Sequence, residues 1–169
     1  MYSLRSATSD DISDIMLIIA DCQQFLHSRG VDQWQDGYPT VGVIELDVEL
    51  DRGYVLEREG VIAAYGVLAY GAEESYHNIY NGEWLSNFDY ITLHRLAVSS
   101  SFRGEGVGAI FFAAMESEAI SRGIHSLRAD THRDNIVMQN LLQRMGFTLC
   151  GDIYLTESKA HRFGFERLL

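Results

Sequence analysis

The chain has 169 residues, 47% hydrophobic and 22% charged, which is the balance of an ordinary globular protein of one domain. A formal net charge of −11 argues against nucleic-acid binding, which needs a basic footprint to neutralise phosphate, and reads first as solubility and second as mild attraction for a cationic partner. No apolar run approaches the roughly 20 residues of a membrane span, MYSLRSATSDD is no signal peptide, and Cys22 and Cys150 form neither a CxxC nor a metal-type spacing, so a cytoplasmic chain with no membrane contact is expected.

Residues 3–7 read as a strand, and Thr8 with Asp11 as a capping box opening a helix. Ile12, Ile15, Met16, Ile19 and Leu26 keep helical spacing to about Ser28. DQWQDGYPT, with the chain's only proline, is a loop, and Val41–Leu50 a short helix. YVLERE and VIAAYGVLAY flank Gly60 as an antiparallel hairpin. Residues 72–89, polar and aromatic, form an excursion before the strand ITLHRLAV (91–98).

SSSFRGEGVG is a Gly-rich turn into an amphipathic helix carrying Val107, Ile110, Phe111, Ala114 and Met115 and ending at Gly123. HSLRADT (125–131) is a strand. Asp134 or Asn135 caps a helix with Met138, Leu141, Leu142 and Met145 on one face, stopped by Gly146. FTLCGDIYLT and HRFGFERL close the chain as paired strands. The order βααββ, excursion, βαβαββ is a mixed α/β domain with a largely antiparallel N-terminal half. No repeat or linker divides it, so residues 1–169 are expected to form a single domain.

The sharpest motif is Arg103-Gly104-Glu105-Gly106-Val107-Gly108-Ala109, between a predicted strand and a predicted helix. Its glycines let backbone N–H groups approach a ligand, with the positive end of the helix dipole behind them, which suits a pyrophosphate. A P-loop would need Gly-Lys-Ser/Thr, and a Rossmann turn G-x-G-x-x-G directly after the strand; neither fits.

Arg103, Gly106 and Gly108 match the Arg/Gln-x-x-Gly-x-Gly/Ala signature of the GNAT superfamily of N-acetyltransferases. Leu96-Ala97-Val98 resembles the end of that family's fourth strand, and Asn135, Met138, Leu142 and Gly146-Phe147 fall at the spacings of its later helix. The resemblance covers about Thr92 to Phe147, and the opening LRSATSDDISDI is similar as well. It implies the GNAT fold, with acetyl-CoA as co-substrate and an amine, small molecule or peptide N-terminus, as acceptor. Residues 96–98 would then follow the pantetheine arm and thioester, residues 103–109 the pyrophosphate, and Asn135 and Met138 the cofactor's flank. Leu142 stands where many members carry a tyrosine that protonates the departing thiolate. Leucine cannot do so, which keeps a second reading open: an acyl-CoA-binding sensor with little turnover.

An alkyl amine with a pKa of about 10 must lose a proton before it attacks. His94, two residues before Leu96, is the leading base, because histidine is poised for proton transfer near neutral pH. HRLAV is similar to the corresponding strand of serotonin N-acetyltransferases, where a histidine takes part in proton removal. A core histidine is the equal alternative. Tyr154 is a candidate replacement acid. His132 is a candidate substrate contact, though a turn role suits Asp130-Thr131-His132 better. His94, Asp130, His132 and Asp134 match no zinc spacing, so no metal is expected.

Trp34, Asp36 and Tyr38, in the loop after the first helix, and Tyr80 and Trp84, in the excursion, are the expected acceptor contacts. Such aromatics suit a cation cage with Asp36 or Glu83 as counter-charge, or equally a homodimer surface.

Overall fold

The computed structural model describes residues 1–169. Its elements are β1 (Tyr2–Ser6), α1 (Ile12–Ser28), α2 (Val41–Glu49), β2 (Gly53–Arg58), β3 (Val61–Tyr70), β4 (Ile91–Val98), α3 (Val107–Ser121), β5 (Ser126–Thr131), α4 (Ile136–Arg144), β6 (Thr148–Tyr154) and β7 (His161–Leu168). The expected order holds throughout. The strands follow the order β1-β2-β3-β4-β5-β7-β6 in one seven-stranded mixed sheet. β4 and β5 run parallel, while the β1/β2, β2/β3, β5/β7 and β6/β7 pairs are antiparallel. No helix is long and apolar enough to cross a membrane.

By packing, the chain falls into two compact units, Met1–Leu68 with His94–Ala114, and Ala69–Leu93 with Met115–Leu169. In the first, the expected capping box forms: the Asp11 carboxylate accepts from Thr8 N at 2.8 Å and Thr8 Oγ1 at 2.9 Å. Ile15, Ile18 and Ile19 recur at helical spacing, so α1 turns one apolar face onto Val55, Tyr65 and Val67 of the β2/β3 hairpin. Truncating Ile19, which is fully buried, to alanine would cost about 2–5 kcal/mol. Glu59 and Gly60 both take positive φ, +53° and +77°, the geometry of a tight primed hairpin turn. The buried stripe of α3 runs through Val107, Phe111, Phe112, Met115 and Ala119; Ile110 and Ala114, expected in it, are only half-buried.

In the second unit, Asn135 caps α4 by accepting from Met138 N at 3.1 Å. Gly146, at φ +82°, ends the helix, with Phe147 N donating to Leu142 O at 3.0 Å. The excursion is held by a buried polar cluster. Glu166, fully buried, accepts from Ser126 Oγ, Ser86 Oγ and Leu85 N at 2.6–2.7 Å and lies 3.3 Å from Arg128, whose guanidinium sits over the rings of Trp84 and Tyr90. A buried carboxylate survives only with its lone pairs satisfied, and here two of the satisfying groups, Leu85 N and Ser86 Oγ, come from the excursion itself.

Candidate active site

After β4, a short 3-10 turn at Ser100–Phe102 leads into the Gly-rich loop. Gly104 and Gly106 take φ of +90° and +77°. An L side chain costs roughly 1–2 kcal/mol in that conformation, which is why glycine alternates here. A Cβ built on either glycine meets no atom within 4 Å, so the loop borders open space that a ligand can fill. The first backbone bond of α3 runs from Ile110 N to Gly106 O. The N–H groups of Val107, Gly108 and Ala109 precede that ladder and stand at the positive end of the helix dipole.

The loop's charged side chains are fixed by neighbours in the same unit. Glu105 accepts from Arg58 Nη1 at 2.8 Å and from Tyr2 OH at 3.2 Å, and Arg58 lies over the Tyr2 and Phe102 rings. The loop's one carboxylate is thereby neutralised. Arg103 lies 4.5 Å from the centroid of the Phe25 ring.

Along β4, Ile91, Thr92 and Leu93 are buried, His94, Arg95 and Leu96 half-buried, Ala97 buried again and Val98 half-buried. Arg95 has φ +53°, the one non-glycine strand residue in the left-handed region. Such a residue inside a strand marks a bulge, where the chain turns and backbone groups leave the ladder. The Cys22 thiol donates to Val98 O at 3.5 Å. Burial pushes that thiol up, against the smaller opposing effects of Val98 and Arg103, so it stays protonated and is a poor nucleophile.

Sequence reasoning missed the network under this bulge. Asp47 of α2 has no exposed surface and receives Arg95 Nε at 2.8 Å, Arg95 Nη2 at 2.6 Å, Arg52 Nε at 2.9 Å and Tyr65 OH at 2.9 Å. The remaining arm of Arg95, Nη1, donates to Tyr38 OH at 2.7 Å. Burial works against the Arg95 charge, but Tyr38 and Asp47 outweigh it and hold its pKa above the ordinary value. Burial, then the Asp47 charge, pushes the Tyr65 phenol up and keeps it a donor. The one local signal was a carboxylate three residues after the buried Ile44, on the inner face of a short helix.

The expected acceptor loop belongs to this unit too. Trp34 packs against the α1 core, Asp36 Oδ1 accepts from Tyr38 N at 3.2 Å, and Tyr38 O accepts from Gln23 at 2.9 Å. Tyr38 is thus tied to the β4 strand through Arg95, while Asp36 braces the turn.

The second unit holds the other expected residues. Tyr80 and Tyr154 meet edge to face at 5.6 Å beside a groove of about 420 Å³ lined by Glu74, Ser75, His77, Asn78, Thr156 and Lys159. Tyr154 is 48% exposed. Its other neighbour is His161, 5.6 Å away, whose Nε2 lies 2.6 Å from Asp152 Oδ1. Asn81, then His161, holds the Asp152 carboxyl below its usual range. Trp84 is packed on Tyr76 and donates its indole N–H to Tyr76 O at 2.9 Å, which gives it an anchoring role in the excursion. His132 Nδ1 accepts from Asp134 N at 3.1 Å, as suits the turn into α4. Leu142 has no exposed surface and serves the core. No group of three metal-ligating side chains is present.

Residues 17–147, well over half of the chain, match the model of the Acetyltransferase (GNAT) family. A Bacillus subtilis (strain 168) protein named as the uncharacterized N-acetyltransferase YesJ is 25% identical over 152 residues, 86% of this chain and 81% of the other. The crystal structure of a GNAT-family acetyltransferase from Streptococcus agalactiae 2603 superposes with a TM-score of 0.90 at 33% identity, covering 99% of this chain and 95% of that one. A ribosomal-protein-alanine N-acetyltransferase from Brucella melitensis shares the fold at 20% identity, with a TM-score of 0.69 over 99% of each chain.

Proposed function

The chain belongs to the GNAT acetyltransferase family, and from that premise we propose that it transfers the acetyl group of acetyl-CoA to a primary amine by direct attack, with both substrates bound together. One observation carries the cofactor assignment. The loop at the start of α3 places two left-handed glycines and three N–H groups outside the helix ladder beside open space, and pairs off its own carboxylate. A pyrophosphate is what such a concavity accommodates.

Acetyl-CoA supplies an activated thioester carbonyl. Residues 103–109 hold its pyrophosphate, Leu96, Ala97 and Val98 offer backbone groups to the pantetheine arm, and Asn135 and Met138 flank it. His94, on the same strand, takes the amine proton directly or through a water. With Leu142 sealed in the core, protonation of the leaving thiolate falls to Tyr154 or to solvent. The protonated Cys22 favours direct transfer over a route through an acyl-cysteine. For the acceptor, Asp36 and Tyr38, with Trp34 beside them, are the side chains proposed in the first unit; Tyr80, with Trp84 and His132, is proposed in the second. Residues 1–169 would act as one cytoplasmic transferase domain.

The test is thermal. A ligand bound only by the folded state raises the melting temperature by mass action. Acetyl-CoA is expected to raise it by clearly more than NAD or ATP, which share only its pyrophosphate and not its pantetheine arm. A shift with NAD or ATP and none with acetyl-CoA would overturn the assignment.

A further inference from the structure

Arg95 sits in β4 between the proposed base and the proposed thioester-binding residues, in a backbone conformation that its own side chain disfavours. Nothing in an isolated strand would keep an arginine at φ +53°. What keeps it there is visible: a side chain only 11% exposed, its guanidinium gripped in bidentate fashion by an aspartate side chain with no exposure at all. The carboxylate is itself fixed by Arg52 and the raised phenol of Tyr65, so it is a rigid anchor rather than a mobile partner. The guanidinium's third arm reaches Tyr38 in the loop before α2. A planar fork with all three arms engaged admits one position of the backbone that carries it.

From this we infer that Arg95, held by Asp47, is a positioning residue for the transfer: the buried ion pair locks the bulge in β4 and so sets how the backbone of residues 94–98 is presented to the thioester end of acetyl-CoA, while the same arginine fixes Tyr38 in the acceptor loop. The inference rests on the acetyl-CoA reading above. It assigns no contact between Arg95 and either substrate.

Glycine separates this role from simple stabilisation. Arg95→Ala and Arg95→Gly delete the same guanidinium and leave Asp47 with the same remaining partners. They differ in that alanine opposes a left-handed φ and glycine does not. If the pair's task is to hold the bulge, Arg95→Ala relaxes it and binds acetyl-CoA about 5- to 30-fold more weakly, the affinity equivalent of the backbone preference. Arg95→Gly recovers most of that loss. ADP probes the pyrophosphate loop without reaching β4, and its affinity is expected to stay within about twofold of wild type in both variants, by calorimetry.

Alanine and glycine variants that bind acetyl-CoA equally, or ADP affinity that falls in step with that of acetyl-CoA, would overturn the inference. Should the Arg95 variants not fold, Asp47→Asn, which keeps the side chain's shape and weakens the grip, carries the acetyl-CoA-against-ADP comparison: weaker acetyl-CoA binding with ADP unchanged supports the inference, and both falling together, or neither falling, overturns it. Wild-type protein that binds neither probe would instead remove the acetyl-CoA reading on which the inference stands.

Discussion

Replacing Gly106 with valine separates the loop's contribution to folding from its contribution to ligand binding. At φ +77° an L side chain costs about 1–2 kcal/mol, and a β-branched one sits at the upper end. The new Cβ meets no protein atom within 4 Å, so no steric penalty within the fold adds to the backbone cost. For a chain of this length each kcal/mol moves the melting temperature by roughly 2–4 °C, and the variant should melt about 2–8 °C below wild type. At a concentration a hundred times its Kd, acetyl-CoA should stabilise the wild type by about 2.7 kcal/mol, or roughly 5–10 °C. The valine methyls occupy the space that borders the N–H groups of Val107, Gly108 and Ala109, so the variant should show almost none of that shift. Differential scanning fluorimetry with and without acetyl-CoA reads both effects in one plate. A folded Gly106→Val protein that keeps the full ligand shift would refute the assignment of the loop to the pyrophosphate.

Three further outcomes follow from the geometry. His94→Ala should lower kcat by roughly 10²–10⁴ at pH 7, with a smaller loss at high pH where more of the amine is already neutral; near-normal turnover would remove His94 as the base. Tyr154→Phe deletes only the hydroxyl of a half-exposed residue, and a change in kcat of about tenfold or more with KM unchanged identifies it as the acid, whereas a change below about twofold, roughly 0.5 kcal/mol, gives that step to solvent. The Arg5 fork, ahead of the opposing effect of burial and helped by Thr8, holds the Asp11 carboxyl well below the usual carboxylate range. Because that pKa is depressed by folding, its stabilisation is complete above the unfolded value of about 3.9 and is lost as pH falls towards the folded one. Asp11→Asn should therefore be less stable than wild type in urea at pH 7, with a gap that narrows below about pH 4; a gap constant with pH would contradict the linkage.

What the sequence made legible was local. Thr8 and Asp11 cap a helix three residues apart, Gly123 and Gly146 stop helices in the left-handed conformation, and Gly104 and Gly106 announce a loop that other residue types follow only at a cost. Asp47 and Arg95 are 48 residues apart, and neither segment carries any mark of the other. β7 lies between β5 and β6 in the sheet, an insertion fixed by long-range pairing such as Phe165 opposite Ala129 and Leu149, with no trace in hydrophobic periodicity. The excursion read only as a polar and aromatic segment between strands, yet Glu166 and Arg128 gather Leu85, Ser86 and Trp84 from it into a buried cluster. Trp84, expected at a ligand, is consumed by that cluster. The bulge at Arg95 was hidden for a related reason: a strand pattern such as ITLHRLAV reports which residues favour extension, and not which one a distant carboxylate pulls out of it.

Acetyl transfer is measured most directly by following both products at once. The protein is incubated with acetyl-CoA and a panel of primary amines that includes polyamines, aromatic amines, amino acids and short peptides with free N-termini. Free CoA is read by its thiol and the acetylated amine by mass. CoA release should depend on one class of amine, be matched mole for mole by an amine heavier by one acetyl group, and be abolished by Gly106→Val. CoA release at the same rate with and without every amine, and no acetylated product, would contradict acetyl transfer.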